Sequence, residues 1–99
     1  MSFTLHSSDE IAMELAKRAK GRRLSLNLTL EGLAKRSGVA LGTLKKFERT
    51  GQISLVSFIR LSVALNDDAA LERLLREPEY DTLEDVLEVK KKHKRGRIT

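Results

Sequence analysis

The chain has 99 residues, of which 33% are charged and 40% hydrophobic, with a formal net charge of +5 and no cysteine. This length suits one domain and is too short for a nucleotide-binding domain joined to a substrate domain. The lack of cysteine excludes disulfides and cysteine-based metal sites. The apolar runs are too short to span a membrane and the N-terminus does not resemble a signal peptide, so we expect a cytoplasmic protein.

The positive charge is distributed unevenly along the chain. Residues 1–66 carry eleven Lys or Arg and five Asp or Glu, a net charge of +6. Residues 67–89 carry two Lys or Arg and nine Asp or Glu, a net charge of −7. Residues 90–99 carry six Lys or Arg and no acidic residue. A basic surface favours a polyanion as partner, but a solvated surface with an unstructured tail has the same composition. Charge alone leaves both interpretations open.

Apolar spacing and capping residues predict helices with short connections. The first helix is expected to begin after Ser7, which forms a capping-box pattern with Glu10, and to end near Arg23 or Leu24. Asn27, a residue type that tolerates a left-handed backbone, is expected in the turn that follows. The apolar stripe of this helix has helical spacing and consists of Ile11, Ala12, Leu15, Ala16 and Ala19.

The second and third helices are predicted to lie on either side of a glycine. Thr29 is expected to cap a helix over Leu30–Ser37, which Gly38 ends. The third helix is expected over Leu41–Thr50. Gly51 follows it and ends it in the same way.

Two more helices are predicted before the only proline. Ser54 is expected to cap the fourth, Asp67 or Asp68 the fifth, and Pro78 ends that region. The side chains expected on the inner faces of these two helices are Leu55, Phe58, Ile59, Ser62, Leu65, Leu71, Leu74 and Leu75.

The residues after this region form two segments of opposite charge. The first combines Leu83, Val86 and Leu87 with four carboxylates, and an amphipathic helix is predicted for it. Three roles are open for this segment: it would cover the bundle, stay solvated, or bind a protein partner or a second copy. Lys90–Thr99 is expected to be a flexible tail, which binds DNA without sequence preference or pairs with the acidic segment. We therefore expect a domain over residues 1–77 and a C-terminal extension over residues 78–99.

The second and third helices together have the pattern of a helix-turn-helix. Gly38 supplies the backbone conformation of the turn, and the small Ala34 allows the two helices to approach closely. Val39, Leu44 and Phe47 are expected to face the core. A recognition helix enters the major groove of DNA by its N-terminal residues, which suits small residues followed by cations. The outward face of the third helix has this order: Gly42, Thr43, Lys45, Lys46 and Arg49.

The segment RRLSLNLTLEGLAKRSGVALGTLKKFERTGQISLVSFIRLSVAL resembles the phage-repressor-like helix-turn-helix family, also called the Xre or Cro type. The resemblance covers roughly residues 9–76. Within it, FERTGQISLVSFIRL is similar to antitoxins related to HipB, which pair with HipA-type kinase toxins. The resemblance implies an all-α, compact five-helix, lambda-repressor-like bundle that binds DNA as a homodimer.

The resemblance also implies roles for single residues. Arg23 lies where relatives have an arginine that pairs with a glutamate late in the third helix, here Glu48; a phosphate contact is the alternative role for Arg23. Leu30 and Leu41 depart from the family. Relatives commonly have a phosphate-clamping glutamine at the first of these positions and a polar, base-reading residue at the second. Leu41 can still touch a thymine methyl group, whereas Leu30 is expected to pack inward.

Taken together, these features predict a sequence-specific transcriptional repressor, the antitoxin of a toxin–antitoxin pair. It would bind an inverted-repeat operator in double-stranded DNA as a homodimer. The alternative is a protein-interaction adaptor that has the repressor fold without reading DNA. No enzyme activity, cofactor or metal site is expected, because the two histidines, His6 and His93, are separated by the whole domain. The expected DNA-binding residues are Thr29, Lys35, Leu41, Gly42, Thr43, Lys45, Lys46 and Arg49.

Overall fold

The structure is a computed structural model that describes Phe3 and residues 6–78. The predicted acidic helix and basic tail lie outside the described residues. The described part is all-α, as predicted, with no strand. None of its helices is long and apolar enough to cross a membrane. The helices are α1 (Ser8–Ser25), α2 (Leu30–Ser37), α3 (Leu41–Thr50), α4 (Leu55–Ala64) and α5 (Asp68–Arg73).

Side-chain caps begin three of these helices. The Glu10 amide donates to Ser7 Oγ over 3.1 Å, and the Glu10 carboxylate accepts from the Ser7 amide, which completes the capping box. Thr29 Oγ1 accepts from the Gly32 amide over 2.9 Å, and Ser54 Oγ accepts from the amide three residues on. These three predicted caps are confirmed. Asp67 precedes α5 as expected, but its side chain makes no capping hydrogen bond.

Residues with a left-handed backbone end the first four helices. Gly38 follows α2 with φ 74° and Gly51 follows α3 with φ 77°. Asn27 has φ 57°, which confirms the turn predicted after α1, although α1 extends to Ser25. Asn66, with φ 63°, has the same role after α4. Glycine and asparagine adopt this conformation at the lowest steric cost.

A small core joins the helices. Helix α1 packs against α3, α2 packs against α3 and α4, and α4 packs against α5. The rings of Phe47 and Phe58 meet edge to face, with centroids 5.9 Å apart. Leu30 and Ala34 are partly buried against this core, as expected. The buried apolar residues are Ala16, Leu33, Val39, Leu44, Phe47, Leu61, Ala64 and Leu65.

The inner faces predicted for α4 and α5 are partly wrong. Leu55 and Ile59 are exposed because the core face of α4 is centred on Leu61, and positions six and two residues before it lie on other sides of the helix. Leu74 and Leu75 are also exposed, because α5 ends at Arg73 and the chain leaves the helical path.

Helix α1 is held against both α3 and α4. A Cβ built on Gly51 would lie 2.9 Å from the Ala12 carbonyl carbon and from the Met13 nitrogen, so only glycine allows this approach of α3 to α1. At the other end, Arg22 Nε donates to the Leu65 carbonyl over 3.0 Å, and its Nη2 donates to the Asn66 carbonyl over 3.1 Å. The first contact holds α3 against α1, and the second holds α1 against the end of α4.

Candidate nucleic-acid interface

The connection between α2 and α3 has three residues, 38–40. The Gly38 amide donates to the Ala34 carbonyl over 2.9 Å, and the Val39 amide donates to Ser37 Oγ over 3.1 Å. The Val39 side chain is buried. The turn is therefore tied to α2 and to the core, and it determines the angle at which α3 leaves.

An ion pair joins α1 to α3. Arg23 Nε and Nη2 donate to the Glu48 carboxylate over 2.8 and 3.1 Å, and Arg23 Nη1 donates to the Leu28 carbonyl over 2.8 Å. This confirms the predicted pair. Arg23 is 7% exposed and its guanidinium is engaged by Glu48 and the Leu28 carbonyl, which favours the structural role over a phosphate contact.

The predicted DNA-binding side chains of α3 differ in exposure. Gly42, Lys45, Lys46 and Arg49 are exposed, on the side of the helix opposite the buried Leu44 and Phe47. Leu41 and Thr43 are half-buried and flank this side. The order expected from the sequence is present: a small residue in the first turn, followed by three exposed cations.

The cations of this surface are not neutralised within the described residues. Lys35, Lys45, Lys46 and Arg49 have no carboxylate oxygen within 4.0 Å there. The arginines of α1 differ, since Arg18, Arg22 and Arg23 pair with Glu14, Asp67 and Glu48. Within the described residues, the charges on the outward side of α3 are thus without a carboxylate partner.

Gly42 has no internal reason to be glycine. A Cβ built on it would meet no atom within 4 Å, and its φ is not positive. Glycine inside a helix costs up to about 1 kcal/mol relative to alanine. The missing side chain leaves room on the outside of the first turn of α3, where an external surface can approach the backbone.

The N-terminus of α3 lacks the cap that begins α1, α2 and α4. Its N-cap residue, Ala40, has no side-chain acceptor, and the first turn contains no acidic residue. The first amides of a helix carry partial positive charge and bind anions such as phosphate. This end of α3 therefore adds to the positive potential of its exposed cations.

The α2 residues of the candidate site lie at both ends of that helix. Thr29 is exposed, and although its oxygen caps α2, its O–H can still donate. Lys35 is exposed in the last turn. Lys17 and Lys20 of α1 lie apart from this surface, in a shallow depression that they share with Glu48 and three carboxylates of α1.

The candidate surface lies outside a groove between α1, α4 and α5. That groove, about 460 Å³ in volume, is lined by α1, α4 and α5 together with Phe3, and takes no residue from α2 or α3. An exposed helix whose cations have no carboxylate partner in the described part of the chain suits a macromolecular polyanion. Small ligands instead favour concave sites. No protein family model matches the chain, and no curated protein matches it either.

Proposed function

We propose that this protein is a sequence-specific regulator of transcription that inserts α3 into the major groove of double-stranded DNA. One observation carries the proposal. The exposed side of α3 combines Gly42, which leaves its first turn open, with three cations in the following two turns that no described carboxylate pairs with. The major groove, about 12 Å wide, admits an α-helix, and its phosphates flank the helix on both sides.

The positions on α3 indicate separate roles. Gly42, Thr43 and Lys46 face base edges, where a lysine can donate to guanine O6 and N7. Lys45 and Arg49, four residues apart on one edge of α3, contact phosphates along one side of the groove, and Thr29 and Lys35 contact the backbone from α2. Half-buried Leu41 offers only apolar contact, which suits a thymine methyl group.

Two copies of the chain bind one operator in this proposal. Symmetric helix-turn-helix dimers place their recognition helices about 34 Å apart, one turn of DNA. The operator is then an inverted repeat with half-sites at that spacing. By its resemblance to HipB-related antitoxins, the protein represses its own operon and holds a HipA-type kinase toxin.

An adaptor function is the second candidate. It is favoured by Leu30, whose side chain packs partly against the core where repressors of this type commonly clamp a phosphate. An adaptor would use the same fold to bind a protein, the toxin included, with little preference for a DNA sequence.

Binding to the DNA upstream of the protein's own gene, measured by fluorescence anisotropy, tests the proposal. Three phosphate contacts per copy are expected, from Lys35, Lys45 and Arg49. For a dimer, the logarithm of the binding constant should therefore fall with the logarithm of the salt concentration with a slope of about −5. A scrambled duplex serves as the comparison. Equal affinity for both duplexes at moderate salt would rule out the repressor and favour the adaptor.

Single substitutions distinguish residues that contact bases from residues that contact phosphates. Lys46→Ala is expected to reduce the preference for the upstream DNA by about 1–3 kcal/mol, since it removes a base contact. Lys45→Ala should weaken binding to all sequences alike and reduce the salt slope. Lys17→Ala is the matched control, because this exposed α1 lysine lies beside acidic residues and should leave the preference unchanged.

The toxin partner needs a separate test. Co-expression with the neighbouring genes, followed by purification of the tagged protein, is expected to yield a stoichiometric complex with a kinase-like protein. A lone DNA-binding dimer would instead identify a simple repressor.

A further inference from the structure

Helix α4 is apolar on two sides. Its inner side supplies Leu61, Ala64 and, just past its end, Leu65 to the core. Its outer side carries four large aliphatic residues, which we call the α4 stripe. They are Leu55, Val56, Ile59 and Val63, and their exposed fractions are 71, 59, 40 and 52% in that order.

The spacing of the α4 stripe makes it continuous. Leu55, Ile59 and Val63 follow at intervals of four residues, and Val56 lies one turn from Ile59 and two turns from Val63. A helix on the surface of a monomer ordinarily carries polar residues on the side facing solvent. A row of exposed aliphatic residues opposite the core instead marks a contact with another surface.

We propose that the α4 stripe is the contact through which two copies of this chain associate. The inference rests on the proposed function for its meaning in DNA binding, and it deepens that function. An inverted-repeat operator requires two copies in a fixed arrangement. Only four residues, 51–54, separate α3 from α4. Contact between two α4 helices would therefore determine the separation of the two α3 helices.

The charges of α4 favour a second copy as the occupant. A two-fold interface brings the same patch of both subunits together, so a charged residue near the axis would face a like charge on the other subunit. Helix α4 contains a single charged residue, Arg60, and no acidic one. Arg60 follows the stripe along one edge, and the stripe itself is neutral. Two copies can therefore meet there without repulsion.

The acidic part of the chain is a poorer occupant. Residues 67–89 carry nine Asp or Glu and only two Arg. The amphipathic stretch of this part offers Leu83, Val86 and Leu87 but brings four carboxylates with them, whereas a second α4 stripe brings none. Carboxylates that lose water without gaining a partner cost free energy, and the aliphatic stripe supplies no partners.

The size of the α4 stripe limits the strength of association. Stable interfaces bury about 800 Å² on each partner, which is more than four half-exposed aliphatic side chains supply. The stripe would form the apolar centre of a larger contact with a polar rim. We expect a reversible dimer whose population depends on protein concentration.

Sedimentation of the full chain over a range of concentrations tests this inference. The wild type is expected to pass from monomer to dimer, and Ile59→Lys should raise the dissociation constant at least tenfold. Leu24→Lys is the matched control, since Leu24 is an aliphatic residue of α1 with 54% exposure and lies outside the stripe. A wild type that stays monomeric, or a control as damaging as Ile59→Lys, would overturn the inference.

Cross-linking provides a second measurement that does not depend on a lysine being tolerated. The chain has no cysteine, so Val63→Cys and Leu24→Cys each introduce a single thiol. Mild oxidation should give a covalent dimer from the first variant and not from the second. The reverse result, or equal yields, would contradict the placement of the interface.

DNA binding distinguishes failure of this inference from failure of the proposed function. Ile59→Lys should keep the wild-type affinity for a duplex with one half-site and lose the cooperative gain on the inverted repeat. A dimer that binds neither duplex would leave the α4 interface standing and reject the DNA proposal. Unchanged cooperativity in Ile59→Lys would reject the interface alone.

Discussion

Arg23 and Glu48 form the one ion pair between α1 and α3 in the described part of the chain, and two hydrogen bonds of 2.8 and 3.1 Å hold it. Their side chains are 9 and 13% exposed. A planar guanidinium that grips a carboxylate at two points fixes orientation as well as distance. The pair therefore stabilises the crossing of α1 and α3, while the opposite side of α3 remains open to solvent.

Glu48→Ala is expected to lower the free energy of unfolding by about 3 kcal/mol, because it leaves the Arg23 guanidinium buried without its counter-charge. Urea denaturation measures the change. The control is Glu72→Ala, which removes an exposed i,i+4 pair with Arg76 and should cost less than about 1 kcal/mol. Similar losses in both variants would show that burial does not strengthen the Arg23–Glu48 pair.

Gly51→Ala should destabilise the protein by about 3 kcal/mol, because a positive φ and a clash with the α1 backbone add together. Gly38→Ala, with a similar φ but no atom near the new Cβ, should lose only about 1 kcal/mol. Thermal and urea unfolding of the two variants measure the difference. If Gly51→Ala were as stable as Gly38→Ala, the close approach of α3 to α1 would be refuted.

Gly42→Ala should retain or increase stability, by up to about 1 kcal/mol, and still weaken binding to the upstream DNA. The new methyl group meets nothing inside the protein but lies where α3 would approach the bases. Gly21→Ala is the matched control, since Gly21 is an exposed helical glycine with equally open surroundings on α1. It should gain similar stability and keep full DNA affinity. Equal affinities of the two variants would count against Gly42 facing DNA.

The capping box at the start of α1 predicts a pH dependence. A hydrogen bond from His6, and then bonds from the side chain and amide of Ser7, hold the pKa of the Glu10 carboxyl below its ordinary value of 4.5. Because this pKa is lower in the folded state, the ionised carboxylate stabilises the fold above pH 4.5. That contribution disappears as the pH falls through the lowered pKa.

The Glu10→Gln variant isolates this contribution, since it keeps a side-chain acceptor without the charge. The stability difference between wild type and variant, measured by urea denaturation, should be larger near pH 6 than near pH 3. A difference that is constant over this range would show that the charge of Glu10 has no part in the cap.

Local chemistry made the helix boundaries predictable. Ser7, Thr29 and Ser54 are caps whose partners lie three residues away, so the necessary information is contained in short stretches of sequence. The left-handed turns at Asn27 and Gly38 depend on backbone sterics in the same local way. The Arg23–Glu48 pair spans the fold and was predicted only through the family resemblance.

The exposed side of α4 could not be found in this way. Leu55 and Ile59 fit an apolar pattern with Phe58 and Ser62, and periodicity alone does not say which of two apolar sides meets the core. That choice depends on where α1 and α2 lie. The open space beside Gly42 is likewise a property of the assembled helices, since its sequence neighbours would suit a buried glycine equally well.

Helix α3 is held on the side that faces α1 and the core. The contacts there are made by Glu48, by the buried Leu44 and Phe47, and by Gly51 against α1. Mutations at Gly42, Lys45, Lys46 and Arg49 can thus alter the outer surface without altering the fold. Selection can try new combinations at these four positions while foldability is conserved. Under the proposed function, a lineage of such proteins could diverge in the DNA sequence it binds while keeping one scaffold, and the same substitutions would retarget this chain.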